Sequence, residues 1–408
     1  MPTETPPAQR RVHIVGGGPV GLMLATLLQT TGAFSIRLYE KRREYTRTRM
    51  VKLDSYLVAD SVENYCIDHI DGENVEAVFD RTELDEGVAF RHAIPSDLKT
   101  LLHQWTLGFC PLNAIERSLS DLIDMRRSNP VARIAAAVTA EEAMAMLEPE
   151  DILIDCTGSN SLLRDHVAPP VGDAVGEGAN TFKIRLEYAL VVTFLYSRTY
   201  VCDEYCKYYK NAENDRYKFI PAVHRTYYDQ SVSHVTGIVN ISEEEYEAMP
   251  ARFDGRWLRE NFPGAAQSMD RFIDRIKHET GGEIVGELEI IRIPLDLYRA
   301  RNATSRKWRA VGLSDHPFAG SPVFLAGDSA IGSPYFQSIS LGFECAMFLA
   351  GLLGQRDQLL RETFNRYENY IYKQWLRVYM RSKMIKHNKD LFESLDDTFA
   401  LLEKLHIY

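Results

Sequence analysis

Three glycines near the start of the chain have the spacing of a dinucleotide-binding turn. Gly16, Gly18 and Gly21 form a G-x-G-x-x-G pattern, and Glu40 follows roughly twenty residues later. In such a turn the first glycine makes the bend, the second lets the backbone approach a pyrophosphate, and the third allows close helix packing. An acid at this distance can bind ribose hydroxyls and disfavours a 2′-phosphate, so the spacing predicts FAD or NAD rather than NADP. The alternative is a glycine-rich turn in an unrelated protein.

The flanking sequence supplies the elements that must position this turn. Residues 11–15 form a β-branched run typical of a strand, residues 22–30 show helical apolar spacing, and residues 35–39 form a second strand-like run ending at Glu40. The N-terminus of the intervening helix would offer unpaired N–H groups and a partial positive charge to phosphates. Strand, glycine turn, helix, strand and acid therefore follow in the order of a Rossmann-like unit.

Two more strand-to-turn segments lie much later in the chain. Residues 151–155 are an apolar run ending at Asp155, which leads through a turn with Gly158 to an expected helix start. Residues 323–326 are a second apolar run, followed by Gly327-Asp328 and again by an expected helix. We expect the remote turns to meet around one dinucleotide, because ligands bind at the carboxyl ends of parallel strands.

In this order, the three motifs resemble those of FAD-dependent monooxygenases of the para-hydroxybenzoate hydroxylase type, with MICAL-like features. The resemblance implies that Asp328 binds the ribityl chain and that the following helix directs its N-terminus at the pyrimidine edge of the flavin. A helix dipole placed there stabilises an anionic reduced flavin. The expected cofactor-binding residues are Gly16, Gly18, Pro19, Val20, Gly21, Glu40, Lys41, Arg49, Arg117, Thr157, Gly158, Gly327, Asp328, Pro334, Ser340, Leu341 and Gly342.

Two of the arginines in this set rest on looser matches. Arg49, with Arg47 as its rival, resembles the basic position near the flavin. Arg117, in the segment 112–119, resembles an arginine that contacts the FAD phosphates. The planar guanidinium suits phosphate binding, and a solvent-exposed arginine is the alternative in each case.

Both later turns depart from the usual family pattern. Residues 327–331 read G-D-S-A-I, where common aromatic hydroxylases read G-D-A-A-H. Two residues separate Asp155 from Gly158, where the family usually has adjacent D-G, although the spacing from Ser161 to Arg164 is kept. These departures weaken the expectation of an ordinary phenol hydroxylase and of the usual NADPH docking surface, and they leave FAD binding intact.

The pattern predicts an α/β protein with a Rossmann-like FAD-binding domain, an inserted, mostly antiparallel β-sheet substrate domain, and C-terminal helices. The FAD-binding domain is expected in two parts, residues 1–168 and 310–355, with the substrate-binding domain at 169–309 and a helical segment at 356–408. Within the insert, Ser242 begins a capping box that predicts a helix.

Polar aromatic and titratable side chains do not single out a catalytic residue. Tyrosines of the inserted segment suit a pocket for a flat ligand, but a half-buried sheet is favoured; they are Tyr188, Tyr196, Tyr200, Tyr205, Tyr208, Tyr209, Tyr217, Tyr227 and Tyr228. The histidines available for proton transfer are His92, His103, His224 and His316.

Composition excludes several classes of function. The 408 residues carry a net charge of -10, which argues against a general nucleic-acid binder. We expect no membrane span, because no run of about 18 apolar residues occurs, and no secretory signal. The six scattered cysteines favour reduced thiols in a cytoplasm. No metal site is expected, because Cys202 and Cys206 lack a second ligand pair.

The resemblance implies a monooxygenase that uses NADH or NADPH to reduce FAD. A flavin C4a-hydroperoxide formed with O2 would transfer one oxygen atom to a hydrophobic, aromatic or polycyclic small molecule, as in natural product biosynthesis. The flavin carries this chemistry, so the lack of an acid–base triad is expected. The main alternative is a reductase, oxidase or cyclase on the same scaffold. A halogenase is disfavoured because the tryptophans stand alone, and a flavin-bearing interaction protein is disfavoured because no actin-binding or LIM-like extension is recognised.

Overall fold

The computed structural model describes most of the chain. The described residues are 9–47, 49–68, 72–108, 110–148, 150–167, 178, 180–199, 209–210, 216–225, 232–305, 321–333, 338–355 and 360–404. The strands within them are β1 (Arg10–Val15), β2 (Phe34–Tyr39), β3 (Met50–Val51), β4 (Cys110–Pro111), β5 (Ala132–Ile134), β6 (Ile152–Asp155), β7 (Thr181–Tyr196), β8 (Tyr209–Lys210), β9 (Lys218–Arg225), β10 (Ser233–Ile241), β11 (Arg252–Asp254), β12 (Ile284–Ala300), β13 (Thr304–Ser305), β14 (Val323–Leu325) and β15 (Ile331–Gly332). The helices are α1 (Pro19–Thr31), α2 (Val62–Asp68), α3 (Gly72–Val78), α4 (Arg81–His92), α5 (Ser96–Thr106), α6 (Leu112–Met125), α7 (Ala140–Ala145), α8 (Glu243–Ala248), α9 (Gly255–Asn261), α10 (Pro263–Thr280), α11 (Ser338–Gly354) and α12 (Leu360–Lys404).

A six-stranded sheet brings the three motifs to one edge. Its order is β13-β14-β6-β1-β2-β5, and all neighbours pair in parallel except β13 with β14. Val15 pairs with both Tyr39 and Asp155, and Leu325 pairs with Asp155. The four strands that carry the motifs therefore end side by side, although residues far apart in the sequence supply them. The apolar runs of β6 and β14 are typical of parallel strands buried on both faces, whereas β1 and β2 also carry polar residues such as His13 and Arg37.

Helices cover the parallel sheet and tie the end of the chain to it. The hydroxyl of Tyr367 on α12 donates a hydrogen bond to the carbonyl of Leu325 at the end of β14. Glu344 on α11 is buried and forms ion pairs with Arg91 of α4 and Arg377 of α12, at 3.2 and 3.5 Å. The helical C-terminal segment expected from the sequence therefore packs on the core that surrounds the parallel sheet.

The second sheet is antiparallel and has two unlike faces. Its order is β11-β12-β7-β10-β9-β8, with β15 paired beside β12. One face packs against α10 in a core that includes Phe194, Tyr196 and Phe272. The tyrosines whose side chains are described, Tyr188, Tyr196 and Tyr217, belong to this helix-covered side, as members of its core or packed against it. The other face is mainly apolar and largely half-buried; its side chains are Ala189, Val191, Thr193, Ile220, Thr236, Ile238, Ile291 and Ile293.

The mixed α/β architecture with a Rossmann-like parallel sheet and a separate antiparallel sheet is the fold class expected from the sequence. The capping box at Ser242 is also confirmed, since its hydroxyl accepts from the backbone N–H of Glu245 at the start of α8. The prediction of a helix soon after Asp155 is wrong. Only a 3-10 turn, Arg164–His166, forms there, because the Asp155 carboxylate holds the intervening residues in a loop. β13 lies in the segment expected to belong to the substrate domain, yet it pairs with the parallel sheet.

Among the residues that the structure describes, no helix combines the length and apolar character needed to cross a membrane.

Candidate functional site

The glycine turn between β1 and α1 has the backbone that a pyrophosphate requires. Gly16 has φ +101°, and a Cβ there would lie 2.5 Å from the carbonyl oxygen of Cys156. Gly18 is the N-cap of α1 and has no side chain that could accept hydrogen bonds from the first N–H groups of the helix. A Cβ at Gly21 would collide with the carbonyl oxygen of Gly16. These contacts explain why positions 16 and 21 are glycine, and the lack of a side chain at Gly18 leaves the helix N-terminus open toward a ligand.

The acid after β2 is held by an arginine. Glu40 accepts from the backbone N–H of Arg42 at 2.8 Å and from its Nε and Nη2 at 3.1 and 3.0 Å. Burial raises the pKa of Glu40, but the hydrogen bonds from Arg42 and Gly17 outweigh it, so the pKa is lowered overall. The carboxylate is therefore ionised at neutral pH and can accept hydrogen bonds from a ribose.

The Asp155 carboxylate points inward and organises the second turn. Its Oδ1 accepts from the N–H and hydroxyl of Thr157, at 2.8 and 2.6 Å, and its Oδ2 accepts from the Ser161 hydroxyl at 2.6 Å. The Ser329 hydroxyl donates to the same carboxylate at 3.1 Å and accepts from the N–H of Gly158 at 3.1 Å. Ser329, which departs from the family pattern, thus joins the second and third turns.

Arg164 strengthens the same junction. Its Nε donates to the carbonyl of Ser329 at 3.0 Å, and its Nη2 donates to the carbonyls of Ser159 and Asp328 at 2.7 and 3.3 Å. The Tyr298 hydroxyl also donates to the Asp328 carbonyl, at 2.9 Å. The backbone on both sides of the Asp328 side chain is therefore fixed before any ligand binds.

Asp328 lies in the 3-10 turn Gly327–Ser329 with its side chain in the cleft. Burial raises the pKa of Asp328, and the positive charges of Arg49 and Arg164 oppose that rise. Behind it, α1, this turn and α11 approach closely, because a Cβ at Gly327 or Gly342 would lie 2.9 or 2.7 Å from the Val20 side chain. Glycine at both positions allows the start of α11 to reach the cleft.

A cleft of about 610 Å³ runs between these turns. This volume is within the range of small-molecule sites. The predicted residues that line it are Gly16, Gly18, Pro19, Val20, Glu40, Lys41, Arg49, Thr157, Gly158 and Asp328. The first turn of α11 also reaches it through Ser338 and Ile339. The remote turns therefore form one site.

Other predicted residues lie behind the cleft or away from it. Gly21, Gly327 and Gly342 support its wall through the close contacts described above. Ser340 is buried in α11 and accepts from the N–H of Asp54 at 3.0 Å, and Leu341 is buried in the core. Arg117 is outside the cleft lining and donates to the carbonyl of Tyr45 at 3.2 Å. Its phosphate contact stays a prediction without support from this geometry.

Some expectations fall outside the described residues, including Pro334, Cys202, Cys206 and His316.

Several lining residues were missed from the sequence. Arg42 and Arg47 face the glycine turn, and Ala136, Ala137 and Val138 form part of the wall. The sequence offered Arg47 only as the alternative to Arg49 for the basic position near the flavin, yet both residues line the cleft. The residues after β5 carry no motif, so only the pairing of β5 with β2 brings them to this edge.

The residues present fit FAD. Glycines leave room for a pyrophosphate at the N-terminus of α1, and an ionised acid follows β2 at the ribose position. A second carboxylate, Asp328, and a second helix N-terminus lie at the other end of the cleft. This arrangement suits an extended dinucleotide whose two ends are recognised separately.

Comparisons with known proteins agree with this interpretation. Residues 9–54 match a family model described as an FAD binding domain. No curated protein sequence matches the chain. Two solved structures have TM-scores of 0.50. One is 2-methyl-3-hydroxypyridine-5-carboxylic acid oxygenase, 13% identical, with 94% of this chain and 92% of that one covered. The other is CabE, an aromatic hydroxylase from angucycline biosynthesis, 14% identical, with 96% and 73% covered.

Fold and site together define an FAD-binding flavoprotein. More particularly, the chain has the FAD-binding monooxygenase fold, and its residues 9–54 match an FAD binding domain. At these identities, the structural similarity establishes the fold and not the reaction. The MICAL-like features stay a prediction.

Proposed function

We propose that this protein is an FAD-dependent monooxygenase that inserts one oxygen atom of O2 into a hydrophobic aromatic or polycyclic small molecule, with NADH or NADPH as the electron donor. The observation that carries the proposal is the position of Asp328. Its side chain lies in the same cleft as the glycine turn, beside the first turn of α11. FAD bound there would supply the redox chemistry and the activation of oxygen.

Different residues of the cleft would bind different parts of this cofactor. The glycine turn and the N-terminus of α1 would bind the pyrophosphate, Glu40 the ribose hydroxyls, and Asp328 the ribityl hydroxyls. The N-terminus of α11 would place partial positive charge at the pyrimidine edge. Arg49, near Asp328, adds a full positive charge to the same end of the cleft. The site is thus built to favour negative charge where a reduced flavin carries it.

The apolar face of the antiparallel sheet favours the proposal that the substrate is hydrophobic. On the face away from α10, Ile291 and Ile293 of β12 lie beside Val191 and Ala189 of β7, so this face is apolar. Further along β12, beyond an irregularity in its pairing with β7, Leu297 is buried in the core of the parallel-sheet unit. The two neighbours named above are an aromatic hydroxylase and a hydroxypyridine oxygenase. An apolar face above the flavin would bind a flat substrate and exclude water.

The purified protein tests the proposal in three steps. It should be yellow with bound FAD, NADH or NADPH should bleach it anaerobically, and ¹⁸O2 should label the product of a hydroxylatable aromatic substrate. A colourless protein that takes up no FAD would refute the flavoprotein proposal. Substrate turnover without ¹⁸O in the product would instead favour the reductase, oxidase or cyclase alternative.

A further inference from the structure

A buried carboxylate lies behind the phosphate end of the cleft. The side chain of Glu116, on α6, is 0% exposed. Its Oε1 accepts a hydrogen bond from Nη2 of Arg47, and Nη2 of Arg42 lies 3.6 Å from the same oxygen. Its Oε2 has no hydrogen-bond partner in the part of the chain that the structure describes. One buried acid thus contacts two arginines that come from the loop after β2.

Both guanidiniums lie against the glycine turn. A Cβ at Gly18 would lie 3.4 Å from Nη2 of Arg47 and 3.7 Å from Nη2 of Arg42. The same two nitrogens face Glu116. Each arginine therefore connects the buried acid to the point where the backbone is most open to a phosphate. A guanidinium has five N–H donors, so it can bind a carboxylate and a phosphate at once.

The first turn of α6 also fixes the backbone that carries these arginines. The N–H of Asn113 donates to the carbonyl of Arg47 at 2.8 Å, and the N–H of Leu112 donates to the carbonyl of Arg49 at 2.9 Å. Helix α6 therefore contacts the loop after β2 in two ways. Its first N–H groups bind the loop backbone, and the Glu116 carboxylate binds the Arg47 side chain.

Stability alone does not account for this arrangement. Burying a carboxylate carries a desolvation cost that its ion pairs roughly offset, so such pairs add little net stability. The Arg47 side chain is 43% exposed, which weakens its attraction to the acid further. The clearest physical consequence of Glu116 is geometric, because it restricts where two long, flexible side chains can place their charges.

We propose that Glu116 is a positioning residue of the dinucleotide site, which holds Arg47 and Arg42 at the glycine turn so that both bind the cofactor pyrophosphate. The inference rests on the proposed FAD site and assigns its phosphate recognition to these two arginines.

The test is the affinity of the apoprotein for FAD, measured by quenching of flavin fluorescence. Glu116→Gln keeps the size of the side chain and removes its charge. We expect roughly 10- to 100-fold weaker FAD binding, by analogy with the loss of residues that orient metal ligands. Asp121→Asn is the matched control, since it removes an exposed carboxylate from the same helix, and it should leave the dissociation constant unchanged.

A double-mutant cycle separates positioning from a general structural role. Arg47→Met should weaken FAD binding, and adding Glu116→Gln to it should cause a clearly smaller loss than Glu116→Gln causes in the wild-type protein, because only the part that acts through Arg42 remains. Because Arg47→Met leaves the buried Glu116 carboxylate without its hydrogen-bond donor, thermal melts establish that each variant is folded before the FAD affinities are compared, and the double variant, which lacks the unpaired charge, completes the cycle. Independent, multiplicative losses would overturn the proposal. Tighter FAD binding by Glu116→Gln would also overturn it, since the acid would then compete with the phosphates. Failure of the wild-type protein to bind FAD would instead refute the proposed function itself.

Discussion

Replacing the Asp328 carboxylate tests the proposed site most directly. In Asp328→Ala the group expected to bind the ribityl hydroxyls is lost, but the backbone should stay in place. Arg164 and Tyr298 both donate to the Asp328 carbonyl, and the substitution leaves these hydrogen bonds intact. The φ of +61° that shapes this turn belongs to Gly327, which is unchanged. Loss of FAD should therefore reflect the missing carboxylate rather than an unfolded turn.

The magnitude follows from the kind of hydrogen bond that is lost. A bond to a charged group contributes about 1.5–3 kcal/mol. Because about 1.4 kcal/mol corresponds to a tenfold change in affinity, one such bond predicts roughly 10- to 150-fold weaker FAD binding. Removing the carboxylate also removes the burial cost that raises its pKa, which makes the lower part of this range the safer expectation.

The assay is FAD retention after gel filtration, together with titration of the apoprotein with FAD. Asp328→Asn keeps the shape and isolates the effect of the charge. Asp85→Asn, at an exposed position on α4, is the control for the loss of one negative charge. Wild-type FAD affinity in Asp328→Ala, with Asp85→Asn also unchanged, would refute the role assigned to Asp328 and with it the assigned orientation of the cofactor.

Three further predictions concern the framework of the site. Gly16→Ala should lower the melting temperature much more than Gly32→Ala. Both glycines have positive φ, but only at Gly16 would a Cβ collide with the backbone of another segment, that of Cys156. Equal shifts in melting temperature would contradict this. Ser329→Ala should lower the free energy of unfolding in urea by about 1–3 kcal/mol and weaken FAD binding, because the Ser329 hydroxyl links the second and third turns. An unchanged urea midpoint would show that this link is dispensable. Burial lowers the pKa of His13 below 6.5, so the unfolded chain binds the proton more readily. Stability should therefore fall as the pH drops below about 6.5 and level off below the folded-state pKa. Urea midpoints against pH should show this slope, and His13→Gln should reduce it.

The sequence alone predicted the succession of strands along the chain, the glycine turn and the two later turns. These features depend on local chemistry. Gly16 must adopt a positive φ, and Ser242 caps a helix through its own neighbours. Such constraints lie within a few residues of one another and can be read without knowing the fold.

Tertiary structure decided which polar side chains face the ligand. Glu116 and Arg117 are adjacent on α6, but Glu116 has the spacing of the buried Leu112 and Leu119, whereas Arg117 lies beyond the buried face and is exposed. The Asp155 carboxylate turns inward, where the Ser329 hydroxyl reaches it from a turn far along the chain. The direction of a polar side chain depends on what packs against its element, and those neighbours become adjacent only when the sheet assembles.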